Sequence, residues 1–207
     1  GLIDTTQNLV AYSATMNWKN KDFAGELSKL IHKPIKMDHD ARVMALGELS
    51  FGAGEQFHNF ICVHMGYGIG ASFIVDGKPF YGKCGMTGEL GHIIVEPNHP
   101  VQCTCGNYGC LETLASGRAI AMQAQGEIHK SKYLLQYCNG NPDTITAETV
   151  AIAAREGDVH SQRILLKSAE YIGIGLATLV NLFNPEAIIL GGGLVYAGDY
   201  LFNQIPT

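Results

Sequence analysis

The stretch Gly88–Glu112, GELGHIIVEPNHPVQCTCGNYGCLE, decides how this chain is read. Cys103, Cys105 and Cys110 crowd into one loop, and His92 stands eleven positions before the first of them. Three thiolates and one imidazole make a closed tetrahedral shell, the usual form of a structural zinc site. Soft sulfur ligands favour zinc over magnesium or calcium. Gly106 and Gly109 let the loop turn tightly enough for the thiolates to converge. With no position left for water, such a metal is structural rather than catalytic. The competing reading is ordinary cysteines, or a disulfide with one spare thiol. Cys62, Cys84 and Cys138 lie apart from the cluster and read as core or surface thiols without a role.

On either side of this stretch, strand patterns alternate with helix patterns, which favours an α/β fold. Asn20 is placed to cap a helix whose apolar positions Phe23, Leu27, Leu30 and Ile31 share one face. Ile35–Met37 reads as a short strand ending at Asp38-His39-Asp40, followed by a helix over about 41–51. Phe60–Met65 and Ala71–Val75 read as strands around the turn Gly66-Tyr67-Gly68-Ile69-Gly70, and Asp76-Gly77 marks a tight hairpin. Ile93–Glu96 is a further short strand. Thr146 caps a helix that Gly157 ends. The spacing then predicts a long, buried helix from His160 to Phe183, stopped by Asn184-Pro185. A buried strand, Ala187–Leu190, runs into Gly191-Gly192-Gly193.

The chain has 207 residues, 46% apolar and 16% charged, enough to bury a substantial core. Its formal net charge of -5 argues against this segment gripping nucleic acid by phosphate neutralisation. No apolar run reads as the roughly 18–20 residues a membrane span needs, so no membrane partner is expected. Nothing at the N-terminus reads as a signal peptide. Six cysteines with a clustered metal set suit a reducing, cytoplasmic compartment. A start without Met and a stop at Pro206-Thr207, soon after a glycine run, read as the ends of a piece of a longer protein.

The run GELGH, ten residues, then CTCGNYGCLE closely resembles the signature of the ROK family of repressors and sugar kinases. HDARVMALGE, residues 39–48, resembles its catalytic-loop segment. GYGIG, residues 66–70, resembles its phosphate turn, and NPEAIILGGG, residues 184–193, its adenosine-side strand and turn. The resemblance implies an actin-like, ribonuclease-H-like two-lobe fold. Residues 1–40 would close the first lobe, and 41–207 would form most of the second, with the zinc loop at 91–112. It implies sugar contacts at His39, Asp40, Glu89, His92 and Glu112. It further implies nucleotide contacts at Gly66, Gly68, Gly70, Gly191, Gly192 and Gly193. In a kinase Asp40 would be the general base, taking a proton from the sugar hydroxyl that attacks ATP, with Mg2+ neutralising the phosphates. Homodimers or homotetramers are implied as well.

Three departures weigh on the functional class. His39 stands where the family usually has Asn. Arg42 stands where Asn is frequent, which puts a cation near Asp40. Tyr67 stands where kinases usually carry Thr in the phosphate turn. These favour the effector-binding and dimerising part of a sugar-responsive regulator of the NagC/XylR class, with DNA contacts in an upstream domain. The alternative is an ATP-dependent glucokinase or N-acetylhexosamine kinase. The third reading is a zinc-stabilised α/β domain that binds neither sugar nor nucleotide.

Overall fold

The computed structural model describes residues 1–13, 16–83, 85–203 and 205; Cys84 and the Pro206-Thr207 end lie outside the described residues. The fold is α/β. It comprises two compact units, one of Gly1–Val63, Ala71–Glu89 and Glu186–Ile189, the other of His64–Gly70, Leu90–Pro185 and Leu190–Thr207.

The first unit opens with an antiparallel sheet of β1 (Leu2–Asp4), β2 (Leu9–Ser13) and β3 (Trp18–Lys21), in that order. Helix α1 (Phe23–Ile31) follows at once. Its cap is Asp22, whose carboxylate accepts the Gly25 N–H at 2.9 Å. Asn20, the expected cap, belongs to β3 and holds a left-handed φ of 48°. The strand runs on to Lys21, so the first free side chain ahead of the helix is Asp22.

Residues 35–37 form no ladder, contrary to the strand expected there. Their backbone is served by one side chain instead. Asn8 donates Nδ2 to the Ile35 carbonyl and accepts the Met37 N–H, both at 2.8 Å. Helix α2 (Asp40–Phe51) then begins.

A second sheet, in strand order β6-β5-β4-β7, is made of β4 (Phe60–Met65), β5 (Ile69–Val75), β6 (Lys78–Pro79) and β7 (Ala187–Gly191). Asp76 and Gly77 both have positive φ, 50° and 71°, as the expected two-residue hairpin requires. Ala45, Phe60, Cys62 and Ile74 form the buried centre of this unit, with Met44, Leu49 and Ile189 packed on it. Burial pushes the Cys62 thiol up to about 12, with Glu48 adding to the effect, so it is inert core. The expected burial of β7 is only partial: every residue of the strand is half-buried. Glu186, just before it, accepts the N–H groups of His58 and Asn59, which hold its carboxyl below the usual range.

The second unit is mostly helical: α3 (Leu111–Ala115), α4 (Gly117–Gly126), α5 (Lys132–Tyr137), α6 (Ala147–Arg155), α7 (Val159–Phe183) and α8 (Asp199–Phe202). Thr146 caps α6 in a reciprocal pair with Thr149, and Asn184 ends α7 in the left-handed conformation. Ile93–Glu96, expected as a strand, contributes a single bridge, Ile94 to Cys110. Helix α7 packs against α3, α4, α6 and α8. It is buried on one side only: Leu165 and Ile172 are covered, while Leu182 is 71% exposed. By length and composition it is long and apolar enough to cross a membrane, a property the run-length reading missed because Arg163, Lys167 and Glu170 interrupt it. A buried stripe packed on four helices is what a core helix shows.

His160 of α7 is buried beside Arg163 and Glu127. Burial holds its pKa below the ordinary value, against the opposing pull of Glu127. The unfolded chain therefore takes up the proton first. This contribution to stability is full above about pH 6.5 and is lost as pH falls through the depressed folded value. Urea midpoints should drop between pH 7.5 and 5.5 in the native chain, and drop less in His160→Gln. Asn8→Ala removes the partner of two part-buried main-chain groups and should cost about 1–3 kcal/mol in the same assay.

Candidate functional site

The backbone from Leu90 to Cys110 has little regular structure. Leu90–His92 forms one 3-10 turn, and Ile94↔Cys110 and Gln102↔Tyr108 are isolated bridges. Within this loop the ligand atoms of His92, Cys103, Cys105 and Cys110 all lie within 4.8 Å of one another. Cys103 Sγ is 3.4 Å from His92 Nδ1, and Cys105 Sγ is 3.6 Å from Cys110 Sγ. A zinc–sulfur bond of about 2.3 Å puts sulfurs about 3.8 Å apart in a tetrahedron. The donor set and its spacing fit a zinc ion, and the four cysteine and histidine positions singled out in the sequence are brought together.

Burial, and then the neighbouring thiols, push Cys110 up to about 12. Cys105 is more open. Burial is the largest single influence and raises it, but the Asn107 backbone and the neighbouring thiols together bring it below its ordinary value. All three cysteines are free thiols here, so the disulfide alternative is not what this geometry provides. Gly109 has φ +72°, and a Cβ on it would lie 1.9 Å from the Glu96 carbonyl oxygen. Val95 donates its N–H to the Gly109 carbonyl at 2.9 Å.

Cys110 leads directly into α3, whose first residues are Leu111, fully buried, and Glu112. Glu112 Oε2 accepts the Ile69 N–H at 3.1 Å. A Cβ on Gly68 would sit 2.3 Å from that same oxygen, and one on Gly91 would meet the Ile69 carbonyl at 2.4 Å and the Glu112 Cβ at 3.1 Å. Gly68 and Gly91 are therefore needed to seat Glu112, a packing role that motif reading did not reveal. A cavity of about 280 Å3 opens alongside, its wall including Cys103, Glu112, Arg118 and Met122. Several of its polar groups are spent internally: Gln102 donates to the Gly106 carbonyl, Gln123 to that of Leu114, and Thr113 to that of Cys110.

The glycine turn is pinned to the start of α4. The Gly66 carbonyl accepts the Gly117 N–H at 2.8 Å, and Ser116 caps the helix through the Ala119 N–H. Tyr67 is 69% exposed, with the Arg118 guanidinium 5.7 Å from its ring centroid. Gly70 continues β5. Gly191 ends β7, and Gly192, at φ +94°, passes so close to Met65 that a Cβ would lie 2.4 Å from its carbonyl oxygen. Gly193 has open space around it.

His39, Asp40 and Glu89 fall in the first unit, and His92 and Glu112 in the second. Asp40 is exposed at the first position of α2, 3.1 Å from His39 Nδ1, and Glu89 is half-buried. Arg42 departs from expectation. It is 2% exposed, and its charge is met by Asp38, one turn earlier, rather than left beside Asp40. Tyr81 completes the cluster, its ring 4.5 Å from the guanidinium and its hydroxyl donating to Asp38 Oδ2 at 3.1 Å. Burial and the Asp38 charge raise the Tyr81 pKa. The i, i+4 spacing of Asp38 and Arg42 is visible in the sequence; nothing there points to Tyr81.

The model of the ROK family matches residues 1–207. The chain is 35% identical to the glucokinase of Halalkalibacterium halodurans, over 99% of this chain and 62% of that protein. It is 33% identical to the xylose repressor of Caldicellulosiruptor bescii, over 99% of this chain and 51% of that one. Among solved structures it is similar to a ROK family glucokinase from Streptomyces griseus in complex with glucose and AMPPNP. The TM-score is 0.89 at 32% identity, covering 99% of this chain and 67% of the other. The chain thus spans about half to two-thirds of the length of these relatives.

Gly109→Ala places a methyl group against a main-chain oxygen and strains a left-handed residue. It should lower stability by more than about 2 kcal/mol in urea denaturation. Gly106→Ala, with open space at the added carbon, should cost less, about 1 kcal/mol from strain alone.

Proposed function

The chain belongs to the ROK family, and on that premise we propose that it is the sugar-binding, effector-sensing region of a transcriptional regulator of the NagC/XylR class. Tyr67 carries this reading: an exposed ring, with Arg118 beside it, stands at the turn that phosphate must approach. Residues 1–40 end a first lobe and 41–207 belong to the second, in a two-lobe, actin-like arrangement. DNA contacts belong to a segment upstream, and a dimer or tetramer in the cytoplasm is the working form.

The metal is zinc, held by His92, Cys103, Cys105 and Cys110, and its part is structural. What supports this is the fit of four ligand atoms within 4.8 Å. Zinc supplies the positive charge that lets Cys110 stay a thiolate. The ordered loop then aims His92 and, through Cys110 and α3, sets Glu112. The residues proposed to hydrogen-bond sugar hydroxyls are His39, Asp40 and Glu89 of the first unit and His92 and Glu112 of the second, carboxylates accepting from those hydroxyls.

A second reading is favoured by the likeness to the Streptomyces griseus glucokinase: an ATP-dependent sugar kinase. Asp40 would then take the proton from the attacking hydroxyl. Gly66, Gly68, Gly70 and Gly191–Gly193 would line the nucleotide, with Mg2+ on its phosphates.

Metal analysis should find one zinc per chain, and calorimetry should detect binding of glucose, N-acetylglucosamine or xylose. Chelation should abolish that heat; sugar binding that survives zinc removal sinks the orienting role. The same preparation, incubated with Mg2+-ATP, should show no phosphorylated sugar. Ordinary turnover that falls about 100-fold or more in Asp40→Asn would move the chain to the kinase reading.

A further inference from the structure

We infer that Arg42 is a positioning residue that fastens the start of α2, bearing His39 and Asp40, to the return segment from Tyr81 to Glu89. What those residues do once placed rests on the sugar-binding reading; the fastening itself rests on geometry within the first unit.

A fully buried guanidinium is costly unless its charge and donors are met. Arg42 meets them on two stretches of chain. One amino group donates to Asp38 Oδ1, and the other donates to the Gly85 carbonyl at 2.9 Å. Asp38 is used in full: Oδ1 also accepts the His39 N–H at 2.7 Å, and Oδ2 accepts the Tyr81 hydroxyl. The Tyr81 ring covers the guanidinium. Asp38 and Arg42 thus bracket His39 and Asp40 in sequence, while Tyr81 and Gly85 lie on the segment that leads to Glu89.

Among the described residues, hydrogen bonds hold both ends of that segment. At its start Phe80 donates its N–H to the Phe73 carbonyl, and at its end Ala71 donates to the Gly88 carbonyl at 2.7 Å. Thr87 Oγ1 closes the loop on the Phe80 carbonyl at 2.7 Å. Gly82 and Gly85 both hold positive φ between those ends. The bond from Arg42 is what ties the loop's middle to α2.

Among the described residues, buried Arg42 Nε finds no hydrogen-bond partner. Apolar side chains of similar size at both Arg42 and Asp38 would leave no buried charge to compensate, so stability alone does not account for this pair. A forked, planar cation that reaches a carboxylate and a carbonyl at once sets a distance between two segments. Lysine, with one compact ammonium, does not reproduce it.

The test compares Arg42→Lys and Tyr81→Phe with the native chain, by amide hydrogen exchange and by calorimetry with D-glucose and N-acetyl-D-glucosamine. In Arg42→Lys, exchange should quicken about tenfold or more in residues 38–43 and 80–89 together, with β4 unchanged. Sugar affinity should fall in step with exchange in 80–89 rather than with the melting temperature. Should Arg42→Lys fail to fold, Tyr81→Phe carries the test, with a smaller change in the same two segments. Quickening in one segment only, or in neither, overturns the inference. A native chain that binds neither sugar overturns the sugar reading and leaves the exchange result to judge the clamp.

Discussion

One imidazole nitrogen and three sulfurs are drawn within 4.8 Å of one another, and much of the second unit follows from that convergence. The chain between His92 and Cys110 has only isolated bridges and a few main-chain bonds, such as the Val95 N–H to the Gly109 carbonyl, around the four convergent side chains. Gathering three thiols in one place is unfavourable without a cation: burial, and then the neighbouring Cys105 and Cys103, push Cys110 up to about 12. Once the loop is closed, Cys110 begins α3, Leu111 is buried, and Glu112 is seated against the Ile69 N–H. Helix α3 in turn packs on α7, the longest helix of the chain. The path from ligand cluster to Glu112 is three residues of backbone.

The first unit meets a similar problem by different means. His39, Asp40 and Glu89 sit at the start of α2 and on the segment after β6. Here a buried cation from the protein itself takes the part of an organising charge, with Asp38, Tyr81 and the Gly85 carbonyl as its shell. A charge removed from water is thereby given a small set of fixed partners. Those partners lie far enough apart in sequence to tie otherwise loosely held segments.

Tyr67 and Glu112 bear on function in different ways. Seating Glu112 needs Gly68 and Gly91 bare, whatever becomes of phosphate at the turn. Glycines here are therefore weak witnesses for nucleotide binding, because packing alone requires them. The side chain at 67 is a better witness, since it projects from the turn and is not constrained by the packing beneath it.

What was legible in the sequence was local or carried by chemistry of a rare type. Asp76-Gly77 encodes its hairpin because two adjacent residues accept positive φ, and Thr146 caps its helix through a hydroxyl three residues from its target. The metal set was legible because cysteine and histidine at that spacing have few other uses. The strand expected at 35–37 was not legible as a loop. Its hydrogen bonds come from Asn8, 27 and 29 residues away, and no pattern within the segment reports them. Of the partners of Arg42, only Asp38, one turn earlier, was within reach of the sequence; Tyr81 and Gly85 meet it only after β5, β6 and the return loop have folded back. Residue type and short spacing determined most of the elements, the family and the Cys/His cluster that could hold a metal. Only tertiary structure decided which buried charge meets which partner, because that depends on distances between segments that lie far apart along the chain.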